Sequence, residues 1–141
     1  PVYDQAYWQR CQLAIADLPA NVKVSHRGVI EPEKVPVLFA HYHALFMPSQ
    51  GENFGHSMAE ALATGLPLLI SDRTPWKGLE EKEAGWDLPL NDAAAFARAA
   101  GRLVDADRVL YDRWSNGAFA MGKRYLSDPE TVERSLSLFT R

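Results

Sequence analysis

Two glutamates flank a glycine near the middle of the chain, in a pattern that suits a phosphorylated, hydroxyl-rich ligand. Glu52 precedes Gly55, and Glu60 follows Glu52 with seven residues between them. Gly55 is predicted to open a helix, whose first amides lack partners inside the helix and attract an anion. A carboxylate can accept hydrogen bonds from two vicinal hydroxyls, so each glutamate is a candidate anchor for a sugar, although a lone glutamate is more often simply solvated.

The residues around this glycine also have structural explanations. Ser57 and Gly55 are both compatible with an ordinary helix start. His56 either donates to a phosphate oxygen or is an exposed neighbour of the cap, and the two interpretations are evenly matched. Arg73 and Trp76 leave the next strand at the same edge of the sheet and could line a pocket, although for Trp76 an anchoring role beneath its loop is favoured.

Other chemistries find little support in the sequence. The four histidines lack the spacing of zinc ligands, so no metal site is predicted. Ser57 does not stand in a Gly-x-Ser-x-Gly elbow, which disfavours a serine hydrolase. A dinucleotide-binding dehydrogenase is disfavoured because no Gly-x-Gly-x-x-Gly follows a first strand. The charged run 77–83 is interpreted as a solvated turn or helix face.

Composition limits the class of protein. The hydrophobic share of 47% and the charged share of 23% are ordinary for a globular domain, and we expect the 141 residues to form one. A net charge of −3 argues against nucleic acid as a partner, so any anion site must be local. Cys11 is the only cysteine; it excludes an internal disulfide and favours a reducing, cytoplasmic compartment. Its place in an apolar helical stripe predicts a core position.

The elements that must position the site alternate between helix and strand. Strands are predicted at 22–26, 44–47, 66–71 and 86–90. Helices are predicted at 4–18, 31–42, 56–64, 92–103, 107–125 and 129–139. The later strands are short continuous apolar runs, as expected when both faces of a parallel sheet are covered. The predicted fold is therefore α/β, a Rossmann-like doubly wound parallel sheet.

The first element is out of place for such a fold. The chain opens on a predicted helix, whereas a doubly wound domain begins with a strand that lies at the centre of the sheet. We therefore expect that first strand to lie outside this sequence.

Beyond the two glutamates, the chain carries an ordered string of motifs. It reads Pro48-Ser49, Glu52-Asn53-Phe54-Gly55, Glu60-Ala61-Leu62-Ala63-Thr64-Gly65-Leu66-Pro67 and Ser71-Asp72. Together these resemble the carboxy-terminal domain of a GT-B fold glycosyltransferase of family 4, the retaining kind. The flanking segments 26–29 and 84–92 resemble that family's base-binding turn and its Gly-strand-Asp segment. The match spans residues 22–105 or so.

The resemblance implies a role for each motif residue. Glu52 would be the catalytic-site carboxylate that contacts hydroxyls of the donor sugar, without acting as a covalent nucleophile. Glu60 would bind the ribose hydroxyls, and the turn at Gly28 and Val29 would contact the base through its backbone. The helix start would hold the donor sugar and its diphosphate, through Phe54, Gly55, His56 and Ser57.

The resemblance also implies the reaction. The enzyme would move a sugar from a nucleoside diphosphate sugar to a glycan or lipid acceptor, without a metal or other cofactor. Residues 1–141 would form the donor-binding domain and would bind without turnover, since the acceptor domain is expected amino-terminal to this chain. Polysaccharide biosynthesis at the cytoplasmic face of a membrane, with peripheral contact by the whole enzyme, is the expected setting. Two alternatives stay open: a non-catalytic interaction module with a degenerate site, and a sugar-nucleotide epimerase of the same half-fold.

Overall fold

A computed structural model describes residues 4–127, which divide into two compact units after Val35. The first unit opens with helix α1, Gln5–Ala16, and ends in a short 3-10 helix, Pro32–Lys34. Helix α1 forms where predicted because Asp4 caps it: the Asp4 carboxylate accepts from the amide of Tyr7 at 2.8 Å. Cys11 is half-buried rather than in the core, so the core prediction for this residue was wrong.

The predicted strand 22–26 is also wrong. These residues are described, and no strand within 4–127 pairs with them. Val22 and Val24 supply the alternating pattern, but 46% and 51% of their surfaces are exposed. Alternation predicts which face a strand would bury, but a strand also needs a neighbour for its backbone hydrogen bonds.

The second unit holds the predicted parallel sheet. Its elements, in chain order, are α2 Val35–Phe39 (which begins at the boundary residue), β1 Leu45–Met47, α3 His56–Ala63, β2 Leu68–Ser71, β3 Gly85–Leu88, α4 Ala93–Asp105 and α5 Arg108–Ser127. The three strands run parallel in the order β1-β2-β3. This arrangement confirms the predicted Rossmann-like α/β fold. The predicted helix 129–139 lies outside the described residues.

Strand β2 is the centre of this sheet and is buried along its whole length. Leu68 and Ile70 pack into the core cluster built with α3, whereas Leu69 packs on the opposite face with Phe96 of α4. Successive side chains of a strand point to opposite faces, so both faces of β2 must be covered. A continuous apolar run is the sequence that this position requires.

Helices α3 and α5 approach each other unusually closely. A Cβ added to Gly122 of α5 would lie 2.6 Å from the amide nitrogen of Ala63 at the end of α3. One added to Gly117 would lie 2.4 Å from the carbonyl oxygen of Glu83. Glycine at these two positions lets α5 lie directly on the backbone of its neighbours. None of the helices in residues 4–127 is long and apolar enough to cross a membrane.

We predict that Gly122→Ala destabilises the protein by about 1–3 kcal/mol, because the added methyl collides with backbone that cannot rotate away. Gly101→Ala is the matched control: Gly101 lies in α4, and a Cβ there meets no atom of residues 4–127 within 4 Å. The control should be neutral or up to about 1 kcal/mol stabilising, since alanine is the better helix former. Urea unfolding measures both, and equal midpoints for the two variants would refute the close approach.

An ion pair ties the loop after β2 to α4. Arg102 donates to Glu80 at 2.6 Å, and the indole of Trp86 donates to the same carboxylate oxygen at 3.2 Å. The Arg102 guanidinium, more than the Trp86 N–H, lowers the pKa of Glu80 below its ordinary value of 4.5, against a smaller opposing effect of burial. The Arg102 guanidinium also lies 5.1 Å from the centre of the Trp86 ring.

The lowered pKa of Glu80 makes its contribution pH-dependent. Because folding lowers this pKa, the contribution is complete above the unfolded-chain value and is lost as pH falls through the folded value. We therefore expect Glu80→Gln to lower the free energy of unfolding slightly at about pH 7, and the difference from wild type to shrink below pH 4.5. Denaturant unfolding across this range tests it. In an Arg102→Gln background, the Glu80 substitution should lose this pH dependence; if it does not, Arg102 is not the cause.

Candidate functional site

The loop between β1 and α3 is fixed at the carboxyl end of the sheet. The hydroxyl of Ser71, at the end of β2, donates to the carbonyl oxygen of Ser49 at 2.5 Å. The hydroxyl of Ser49 in turn donates to the carbonyl of Gly51 at 2.6 Å. The end of the central strand therefore positions the first residues of the loop that leads into α3.

Gly55 makes the turn from this loop into α3. It is the residue before the first helical residue and has φ 68° and ψ 50°, the left-handed conformation. A Cβ at this position would lie 2.8 Å from Nε1 of Trp76, so two separate constraints favour glycine. No side chain among the described residues caps the helix.

The first turn of α3 presents free donors. Within residues 4–127, the amides of His56, Ser57 and Met58 have no hydrogen-bond acceptor. They point out of the amino end of a helix at the carboxyl edge of a parallel sheet, where the helix dipole favours negative charge. This geometry suits an anion.

The predicted side chains lie on either side of this helix start along the chain. Glu52 is half-buried in the loop before Gly55, and Glu60 is exposed on α3, one turn beyond His56. His56 is also exposed, and its ring stacks on Phe54 with 5.9 Å between ring centres. Two carboxylates therefore flank the free amides along the chain, one before the helix start and one after it.

A cavity of about 380 Å³ opens beside the same loop. It is lined by Asn53, Phe54, Pro75, Trp76, Lys77, Lys82, Met121 and Tyr125. Arg73 is exposed and is not among the lining residues; its amide donates to the Ser71 hydroxyl at 3.3 Å. Lys82 belongs to the run interpreted from sequence as a solvated face, and Tyr125 had no signal at all because it reaches the cavity from α5.

Trp76 packs beneath its own loop and also lines the cavity. Its side chain is only 4% exposed, and its ring lies 4.5 Å from that of Tyr125. Its amide donates to the Thr74 hydroxyl at 3.3 Å, which holds the turn in place. Trp76 therefore anchors its loop and also lines this cavity.

The residues predicted to bind the base belong to the other compact unit. Gly28 has φ +70°, and a Cβ there would meet no atom of the part of the chain that the structure describes within 4 Å. Val29 is 77% exposed. The segment is exposed and irregular, with no turn, helix or strand assigned to these two residues.

The structure is a parallel α/β sheet with free helix amides at its carboxyl edge, which is where sheets of this kind bind their ligands. The family model "Glycosyl transferases group 1" matches residues 4–121, which is most of the chain. The protein belongs to the group 1 glycosyltransferases, and its fold is the Rossmann-like carboxy-terminal half of a GT-B enzyme. Comparisons with curated proteins and with solved structures gave no match.

We predict that Gly55→Ala destabilises the protein by about 2–4 kcal/mol, from left-handed backbone strain together with the collision against Trp76. Gly78→Ala is the matched control, because Gly78 has φ +65° but its Cβ would approach no atom closer than 3.5 Å. That variant should lose only about 1–2 kcal/mol, the cost of backbone strain alone. Thermal and urea unfolding compare the two. Equal losses would mean that the Trp76 contact does not constrain Gly55.

Proposed function

We propose that this domain binds a nucleoside diphosphate sugar and is the donor half of a retaining family-4 glycosyltransferase. The observation that carries the proposal is the start of α3, where three free amides lie between Glu52 and Glu60 along the chain. Free amides suit a diphosphate, and carboxylates suit the hydroxyls of a sugar and a ribose. The family membership supports the same class of substrate.

Each part of the site has a distinct task in this proposal. The amides of His56 and Ser57 hold the diphosphate, and the negative charge that develops on it as the sugar leaves is stabilised by these donors. A pre-aimed donor of this kind typically contributes a factor of ~10²–10³ in rate. Glu52 orients the donor sugar, and Glu60 holds the ribose.

Retention of configuration follows from attack on the face from which the diphosphate departs. The acceptor hydroxyl then replaces the leaving group on one side of the sugar, and no protein nucleophile is needed. Glu52 accordingly acts by holding the sugar, not by forming a bond to it. In this proposal the acceptor, a glycan or a lipid, is presented by an amino-terminal domain at the cytoplasmic face, and no metal takes part.

The proposed roles of Glu52 and Glu60 can be distinguished by measuring binding of two different ligands. Glu60→Ala should weaken binding of the cognate nucleoside diphosphate by roughly 1–3 kcal/mol, because a hydrogen bond to a charged group is lost. Glu52→Gln should leave the nucleoside diphosphate unaffected and weaken only the corresponding nucleotide sugar. Titration calorimetry with UDP, GDP and ADP, followed by sugar derivatives of the one that binds, measures both effects.

The control for this experiment is Glu81→Ala, an exposed glutamate in the loop after β2. It should bind like wild type. If none of the three nucleotides binds to the wild-type chain, the donor-site proposal fails, and the interaction-module alternative takes its place. If nucleotide binding survives Glu60→Ala unchanged, the ribose assignment is wrong.

A further inference from the structure

The cavity beside α3 contains a buried donor that nothing in the fold uses. Among the described residues, Nε1 of Trp76 is buried and has no hydrogen-bond partner. Such groups are rare in folded proteins, because burying an N–H without an acceptor is unfavourable. The same nitrogen lies against Gly55, the residue from which α3 begins. The orphan N–H therefore lies against the residue that directly precedes the free amides of the helix start.

Two lysines add positive charge to the same cavity. Lys77 and Lys82 both line it, and within residues 4–127 no carboxylate is among the lining residues. The Lys82 ammonium donates to the carbonyl of Lys77 at 2.9 Å, and the Lys77 ammonium donates to the carbonyl of Asp72. Neither has an ion pair with any residue of the described part of the chain. Each ammonium has three donors, so each can bind a further ligand oxygen.

We propose that this cavity is the phosphate subsite of the donor site, with Trp76 Nε1–H and the Lys82 ammonium donating to phosphoryl oxygens. The inference rests on the proposed function and assigns two specific side chains to the diphosphate. The cavity, about 380 Å³, falls in the size range of small-ligand pockets. Its side chains offer an indole N–H and two ammonium groups as donors, and a phosphoryl group offers acceptors to match them.

Binding requires a small movement of the loop. Because the Trp76 N–H is buried beside Gly55, Asn53 and Phe54, which line the cavity, must shift for a ligand oxygen to reach it. Neither Asn53 nor Phe54 makes a backbone hydrogen bond within residues 4–127. These two residues can therefore move without breaking the sheet, while the carbonyl of Gly55, which accepts from the amide of Ala59 at 2.9 Å, keeps the start of α3 in place.

The indole N–H can be observed directly. The chain has four tryptophans, so a ¹H–¹⁵N spectrum shows four indole signals. That of Trp76 is assigned from the Trp76→Phe variant, or from contacts to the Tyr125 ring if that variant does not fold. We expect the nucleoside diphosphate selected by calorimetry to shift the Trp76 signal downfield, and the matching nucleoside to leave it unchanged. A purely structural tryptophan would respond to neither.

Affinity gives the second measurement. Trp76→Phe keeps an aromatic ring and removes the N–H, and should weaken the nucleoside diphosphate roughly 10-fold. Lys82→Gln should weaken it about 3- to 10-fold, with the nucleoside unaffected by either change. The controls are Trp86→Phe, whose N–H bonds Glu80 at 3.2 Å, and Lys123→Gln on the exposed surface of α5. Both controls should bind like wild type.

The outcomes separate this inference from the proposed function. One outcome is a nucleoside diphosphate that binds without shifting the Trp76 signal and with the same affinity to Trp76→Phe, Lys82→Gln and the wild type. That result refutes the phosphate subsite and leaves the donor-site proposal standing. If no nucleotide binds, the proposed function fails, and inorganic pyrophosphate then tests the cavity alone. A pyrophosphate-induced shift of the Trp76 signal would support an anion subsite, and its absence would overturn it.

Discussion

The contact between Gly55 and Trp76 is the constraint on which the site depends. Helix α3 leaves the loop through a left-handed residue, and the indole occupies the space in which any side chain at that residue would lie. This contact sets the point at which the helix starts, and hence the position of its free amides. The same indole lines the cavity and packs on Tyr125 of α5. Trp76 therefore contacts the loop before α3, the cavity and α5 at once.

The sheet supplies the rest of the rigidity. Strand β2 is paired on both edges and covered on both faces, and its last residue, Ser71, donates to the carbonyl of Ser49 at the start of the site loop. A loop that carries ligand-binding groups needs such a support, because small errors in position are costly in catalysis. Here the hydrogen bond from the buried Ser71 hydroxyl holds the loop that precedes α3 against the end of the central strand.

The sequence predicted those parts of the fold in which local pattern and burial agree. Strand β2 was predictable because two covered faces demand an unbroken apolar run, and α4 because Asp92 caps it, accepting from the amide of Ala95 at 2.9 Å. The segment 22–26 shows where this reasoning fails. Its valines alternate correctly, but whether a strand forms depends on a neighbouring strand, which a local pattern does not encode.

Some residues of the candidate site can be predicted from the sequence, and others cannot. Glu52, Gly55 and Glu60 stand close together in the chain, so their motif can be recognised from the amino-acid sequence alone. Lys82 and Tyr125 cannot, because each lines the cavity only through tertiary packing, and Lys82 looks like one more charge in a solvated run. The orphan N–H of Trp76 is likewise invisible, since the burial of a single atom is not a property of sequence.

The position of Tyr125 and Met121 on the last described helix has a consequence for how the protein is made. Both residues form a wall of the cavity whose other wall, Asn53 and Phe54, is synthesised much earlier. Gly122 must also reach the backbone of α3 before that wall exists. On the ribosome, β1, β2 and α3 emerge first, and the cavity is still open on one side when they do. The nascent chain therefore completes this pocket only after α5 has left the exit tunnel and docked.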